Sequence, residues 1–537
     1  MMLAQAAHGR LGNLDLALVV AYMSAMMLVG LRFSRSSKNT EDYLLGGRSI
    51  PWWLAAVSYL MTLLSTISMV AVPGEAYDHG VTLAVQQFIA PLLAVGAFHI
   101  FIRFYFQSRM FTPFDYLERR FDARIRALAA GFYYSTRVIY LGLALFATST
   151  VFEGACGWPR WQTILLTGGI GVAYTVLGGL HAVAWTDLIQ FVVLVGGMLV
   201  LLGKICLAVP GGALGILEYS FAQGHGPTGL SDPSFYSISP YVRLSLWGLV
   251  IFIANDQLFY NSSDQMAIQR LLSTSSYRQA RRSLYSCAAM QLPVFLGLWF
   301  VGLAIFAFYG LLPPDQRPLH GKSALYHFIG THLPAPLPGL MIAAMLAAVM
   351  STLAGGFNSL TTVATVDFYQ RFFRPVATQR EQVAFSRVMT VLLGAASIGV
   401  GLGLTLSPPE QGFVDTSFTW LSLVSSLTPV FLLGVFSRRV TGGQALIALA
   451  VAVGVSVFML ARNLTLPDER RISFLYLGVP GPALALLTAF ILSRFSPPMS
   501  PARLRNLTWY TIEPSPESEP TLTPAAEVAR PAPFEKG

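Results

Sequence analysis

The sequence predicts an all-α polytopic membrane protein with about thirteen transmembrane helices, on three observations. Only 11% of its 537 residues are charged, whereas 54% are hydrophobic. A soluble globular chain carries about 25% charged residues, so this composition cannot cover a water-exposed surface. The apolar residues fall into stretches of about 20, the length that crosses about 30 Å of hydrocarbon. The basic residues gather in alternate connections between those stretches, the asymmetry that orients membrane helices.

Taken in order, the spans are 13–33, 51–73, 81–102, 127–152, 161–179, 184–208, 243–268, 283–311, 336–366, 386–406, 413–436, 441–461 and 473–494. The first lacks a basic leader and a cleavage site, and is read as a retained helix. The second opens on Pro51-Trp52-Trp53 and is broken by Ser58, Thr62, Ser65, Thr66 and Ser68. The seventh is interrupted by Asn255, Asp256 and Gln257, and ends in Asn261-Ser262-Ser263-Asp264-Gln265. Each unsatisfied polar group costs several kcal/mol in hydrocarbon. Two corresponding interrupted spans, each followed by about four more, therefore read as an inverted-repeat transporter with discontinuous helices. The expected organisation is a first helix and cytoplasmic loop (1–50), a first repeat (51–208) and an extracellular loop (209–242). A second repeat (243–436), two further helices (437–495) and a disordered cytoplasmic tail (496–537) complete it.

Twenty basic residues fall on one side: Arg32, Arg35, Lys38, Arg48, Arg103, Arg109, Arg119, Arg120, Arg124, Arg126, Arg270, Arg278, Arg281, Arg282, Arg371, Arg374, Arg380, Arg387, Arg438 and Arg439. Eight fall on the other: Arg10, Arg160, Arg243, Arg317, Lys322, Arg462, Arg470 and Arg471. The expected placement is the cell (inner) membrane, with the N-terminus outside and the C-terminus in the cytoplasm. The net charge of +9 belongs to these loops, so no nucleic-acid partner is expected. Cys156, Cys206 and Cys287 are too scattered for a disulfide framework. The eight histidines form no metal-ligand spacing, and no two share a span. An intramembrane enzyme, which needs such a constellation, is the weaker reading. A sensor would need an output domain that the tail does not supply.

Arg137 lies about ten residues into the fourth span with no acidic neighbour in sequence. A mid-helix Arg costs about 2.5–3.5 kcal/mol to insert, so it must face water or a partner. It reads either as a buried ion pair with Asp187 or Glu75, or as a bidentate fork for a substrate carboxylate. Asp187 reads as a helix N-terminal cap, or as a residue for passage of a second cation or for gating. Gln87 reads as a hydrogen-bonding partner of a polar ligand, or as a packing residue. Ser351 and Thr352 place adjacent hydroxyls in a span of small residues. They read as back-bonded hydroxyls or as ligands of a desolvated sodium ion.

Five stretches resemble the sodium:solute symporter family: EDYLLGGRSIPWW, TPFDYLERRF, GGLHAVAWTDLIQ, DQMAIQRLL with its Arg-rich loop, and MSTLAGGFNSLTTVATVDFYQRF. The resemblance implies a LeuT-type five-plus-five inverted repeat and sodium as the coupling ion. It implies a sodium site from the carbonyls of Met61, Leu64 and Ala348 with the hydroxyls of Ser351 and Thr352. Within the family the likeness is to bacterial sialic acid symporters. That implies a carboxylate cargo held at Ser65, Thr66 and Ser68, with Arg137 and Gln87 facing it. A neutral sugar is the alternative cargo. Leu63 departs from the Thr of those symporters, and Ala354 and Gly355 stand where some of them carry second-sodium hydroxyls, which implies one coupled sodium. The expected partners are a small carboxylate, sodium and the bilayer, with the chain functioning as a monomer.

Overall fold

The computed structural model describes residues 11–33, 39–318, 320–406, 413–467 and 470–513. Every regular element among them is helical. They are α1 (Asn13–Phe33), α2 (Thr40–Leu45), α3 (Trp52–Leu63), α4 (Thr66–His79), α5 (Gln86–Gln107), α6 (Pro113–Arg120), α7 (Ala123–Cys156), α8 (Arg160–Ala208), α9 (Gly212–Ala222) and α10 (Leu246–Ser262). There follow α11 (Gln265–Leu272), α12 (Tyr277–Gly310), α13 (Gly321–His332), α14 (Leu337–Thr362), α15 (Gln379–Leu406), α16 (Phe413–Val424), α17 (Thr428–Phe436), α18 (Gly442–Thr465), α19 (Phe474–Leu477) and α20 (Pro480–Ser493).

Ten helices among the described residues are long and apolar enough to cross a bilayer, and α3 with α4 makes an eleventh as a pair bent by 61°. Two features account for the difference from thirteen. The 49-residue α8 would be about 74 Å long if straight, enough for two crossings, and it kinks at Gly179 (φ 59°, ψ −164°). Tyr174 donates to the Met350 carbonyl while Ser351 donates to Asp187. Residues 174 and 187 would lie about 20 Å apart on a straight helix, so the chain must fold back at Gly179 to reach adjacent residues of α14. The seventh expected span is α10 plus α11, whose polar junction keeps it below the hydropathy of a plain span.

The break in the second span follows from its hydroxyls. Leu64 (φ −94°, ψ 100°) and Ser65 (φ −107°, ψ 166°) are extended. Ser65 then caps α4 by accepting the Ser68 N–H at 3.3 Å, a favoured role for Ser. The α10–α11 break repeats the device, with Asp264 accepting the Met266 N–H at 2.9 Å. Against both broken helices packs α14, in whose most apolar stretch nearly every residue is buried. It continues into a π-helical segment, Val363–Phe373.

Arg120 and Arg126, both expected on the basic side, share one end of the helices, whereas Arg270, expected there too, is buried beside Asp187. Arg126 pairs there with Asp367 at 2.7 Å and with Glu118 at 2.8 Å. Arg120 donates to the Gly434 and Ser437 carbonyls. Arg10, Arg35 and Lys38 lie outside the described residues.

Two expectations for the connections change. The 209–242 connection, read as a loop, contains α9. The tail, expected to be disordered from Ser496, instead packs against the basic end over residues 499–513. Trp509 N–H donates to the Val435 carbonyl at 2.9 Å, Tyr116 donates to the Leu507 carbonyl at 2.8 Å, and Leu504 is buried. The tail has few apolar residues, but these find a surface on α6 and α17. Residues 514–537 lie outside the described residues.

Candidate functional site

A cavity of about 210 Å³ opens beside the break in the second span. Its wall is built from α3, α4, α5, α7, α10, α12 and α16, and includes Thr62, Leu63, Ser65, Ser68, Gln87 and Arg137. The extended residues at 64–65 put Ser65 and Ser68 on this wall. Ser68 also reaches back to the Leu63 carbonyl at 3.4 Å. The structure thus brings Ser65, Ser68, Gln87 and Arg137 to one space.

Thr66 is not among them. It is fully buried and donates to the Met345 carbonyl of α14 at 3.3 Å, so its hydroxyl faces α14 and not this cavity. The break resets the helical register between Ser65 and Thr66, and adjacent hydroxyls face different neighbours.

Arg137 is not unpaired, as its sequence surroundings suggested, nor is its partner Asp187 or Glu75. It meets Asp264 at 2.5 Å, with side-chain exposures of 10% and 0%. Its guanidinium also lies over the rings of Tyr133 and Tyr140, 5.4 and 5.3 Å from their centroids. Asp264 is held by the Tyr133 hydroxyl at 3.0 Å, while its second carboxylate oxygen is buried without a hydrogen-bond partner. Glu75 is held instead by two 2.8 Å hydrogen bonds from Arg243. An Arg has five donors in a fixed fork. One N–H toward Asp264 leaves others for an oxygen in the cavity that Arg137 lines.

Thr66 also fixes what lies behind the cavity. Ala348 and Thr352 follow Met345 along one face of α14, at the three- and four-residue spacings that share a helix face. The Thr66–Met345 bond ties α14 to the start of α4 at the break. The last four carbonyls of any α-helix lack intrahelical donors, and the extended Leu64 and Ser65 leave the end of α3, with Met61 and Leu64, in that condition. Thr352 donates to the Ala348 carbonyl at 3.0 Å and Ser351 donates to Asp187 at 2.6 Å. Each hydroxyl oxygen keeps lone pairs for a cation. Carbonyls and hydroxyls of this kind fit a sodium ion. Among the described residues no group of three His, Cys, Asp or Glu side chains could hold a metal.

Asp187 is fully buried and lies well inside α8, beyond the kink, so it does not cap a helix. Its two oxygens accept from Ser58 of α3 at 2.5 Å and Ser351 of α14 at 2.6 Å. Arg270 of α11 lies 3.9 Å away. Sequence reasoning had no means of naming Ser58 or Arg270 as its neighbours. It noted Asp256 and Asp264 only as interruptions of a span.

The fold and site match known transporters. A sodium/sialic acid symporter, SiaT of Proteus mirabilis, is 28% identical over 449 residues, covering 82% of this chain and 88% of that one. The solved structure of a Na+-coupled sialic acid symporter, in a substrate-bound outward-open state, superposes with a TM-score of 0.81 at 26% identity. It covers 91% of this chain and 99% of that one. Mhp1, a nucleobase-cation-symport-1 family transporter, shares the fold with a TM-score of 0.53 at 13% identity, over 86% of this chain and 97% of its own. The architecture is the LeuT-type inverted repeat. The sodium:solute symporter family model matches residues 43–452, and the chain, a multi-pass sodium-coupled transporter and not an enzyme, belongs to that family.

Proposed function

We propose that the protein imports a small carboxylate-bearing solute, with sialic acids the leading class, by sodium-driven alternating access. One observation carries the reading: Arg137 and the hydroxyls at the break of the second span line a single cavity. Ser65 and Ser68 offer O–H donors, Gln87 an amide, and Arg137 the planar fork that suits a carboxylate. The relatives that transport sialic acid support the same class.

Sodium is held by the carbonyls of Met61, Leu64 and Ala348 with the hydroxyls of Ser351 and Thr352. It braces the broken second span against α14 and shapes the cavity beside it. Ala354 and Gly355 bring no side-chain oxygen, so Asp187 gates the site and does not complete a second one. One sodium moves per cycle. The repeats 51–208 and 243–436 rock against each other about these two breaks. The basic end faces the cytoplasm, with the N-terminus and the 209–242 connection outside, and a single chain suffices.

Reconstitution in proteoliposomes tests the proposal. Uptake of radiolabelled sialic acid is expected to require an inward sodium gradient and to yield to other small carboxylates but not to neutral sugars. Uptake of a neutral sugar with no competition by acids would replace the carboxylate reading.

A further inference from the structure

The cavity is lined by more carboxyl groups than basic partners meet. Three carboxylates line it: Glu75, Asp256 and Asp264. Arg243 meets both oxygens of Glu75, and Arg137 pairs with one oxygen of Asp264. Asp256 has no ion-pair partner among the described residues. One of its oxygens accepts from Gln257 at 3.1 Å, and the other is buried with no hydrogen bond at all. A carboxylate removed from water is costly unless a cation or donors meet it. An anionic cargo beside an ionised Asp256 would place two like charges in the same enclosed space, a cost that a cation on the cargo removes.

The surroundings of Asp256 indicate what meets it. Phe252, Asp256 and Tyr260 follow at four-residue spacing, which lays them along one face of α10, and all three line the cavity. Trp299 and Trp420 line it as well. A carboxylate flanked by aromatic side chains is a setting that can receive an organic ammonium, whose charge ring quadrupoles attract. A bare sodium ion needs several oxygens, and rings do not supply them. The buried Trp299 indole N–H, also without a partner, offers a donor to an oxygen of the same ligand.

We infer that the cargo carries a cationic nitrogen as well as a carboxylate, received by Asp256 between Phe252 and Tyr260. The cargo class is then an amino-bearing acid, a zwitterion with its carboxylate toward Arg137. This rests on the cavity being the cargo site.

The test uses purified full-length protein in sodium, with binding read by thermal shift and calorimetry. The probes are a sialic acid in its N-acetylated form and the same sugar acid, as its methyl glycoside, with the amine free. The free-amine form is expected to bind at least tenfold tighter to the unaltered protein. Asp256→Asn, close in shape to the native residue, is expected to abolish that preference, whereas Arg137→Lys weakens both forms alike. Equal or weaker binding of the free amine to the unaltered protein, which needs no variant, overturns this inference alone. So does a preference that survives in Asp256→Asn. If neither acid binds, or Arg137→Lys leaves both unchanged, the carboxylate reading of the cavity fails instead.

Discussion

Arg137 of α7 reaches Asp264 at the cap of α11 across 2.5 Å, so a membrane-buried guanidinium is tied to the hinge of a broken helix. Any acid that binds in the cavity must share this Arg with a resident carboxylate. Arg137→Lys keeps the charge but loses the fork. The expected loss of affinity for a carboxylate cargo is at least tenfold, or ~1.4 kcal/mol, measured by competition against labelled uptake. Asp264→Asn, which can still cap α11, frees the guanidinium and is expected to tighten acid binding. Unchanged acid affinity in a folded Arg137→Ala protein would refute the assignment.

Ser351→Ala with Thr352→Ala removes two of about five oxygens expected around the sodium. Sodium titration of uptake is expected to shift to much higher concentration in the double variant, with little change in the cargo preference order. An unaltered sodium dependence would place the ion elsewhere.

Charge movement reports the stoichiometry. One sodium with a plain monoanion moves no net charge, so the membrane potential, about 2.3 kcal/mol per charge per 100 mV, adds nothing. The same sodium with a zwitterion moves one positive charge. Currents on solid-supported membranes are expected for amino-bearing acids and absent for N-acetylated or amine-free ones. A clear sodium-dependent current with a plain acid would mean a second coupled cation.

Gly179 adopts φ 59°, ψ −164°, a region that essentially only glycine occupies. A Cβ there would also lie 2.7 Å from the Tyr43 carbonyl oxygen. Gly179→Ala is therefore expected to cost about 1–3 kcal/mol and lower the midpoint of thermal unfolding in detergent. Gly169→Ala, in the same helix with open space around it, serves as the control and should leave the midpoint nearly unchanged.

The bilayer made much of this fold legible. Hydrocarbon thickness fixes span length, so apolar runs located the crossings to within a few residues. Hydroxyls clustered in the second span marked its break. Side-chain partners were not legible in the same way. Arg137 was visible as an anomaly, but its partner depends on how α7 crosses the α10–α11 junction, which no local pattern encodes. The resemblance grouped Thr66 with Ser65 and Ser68, and periodicity, which says nothing across an extended break, could not separate them. The ordered 499–513 segment was missed because composition averages over a tail in which a few residues, such as Leu504 and Trp509, carry the packing.

Ser58 of α3 and Ser351 of α14 grip opposite oxygens of Asp187. With Ser351 in the proposed sodium set, this carboxylate links ion occupancy to how easily α3 parts from α14. Such linkage is reciprocal: parting the helices weakens the hold on the ion by the same factor that the ion resists their parting. Ser58 lines neither the cavity nor the ion's proposed ligand shell, yet it anchors one side of that link. A chain lacking its hydroxyl would keep both binding sites and lose the discipline between them. It would slip, letting sodium through without cargo and dissipating the gradient that a tightly geared transporter converts into accumulation.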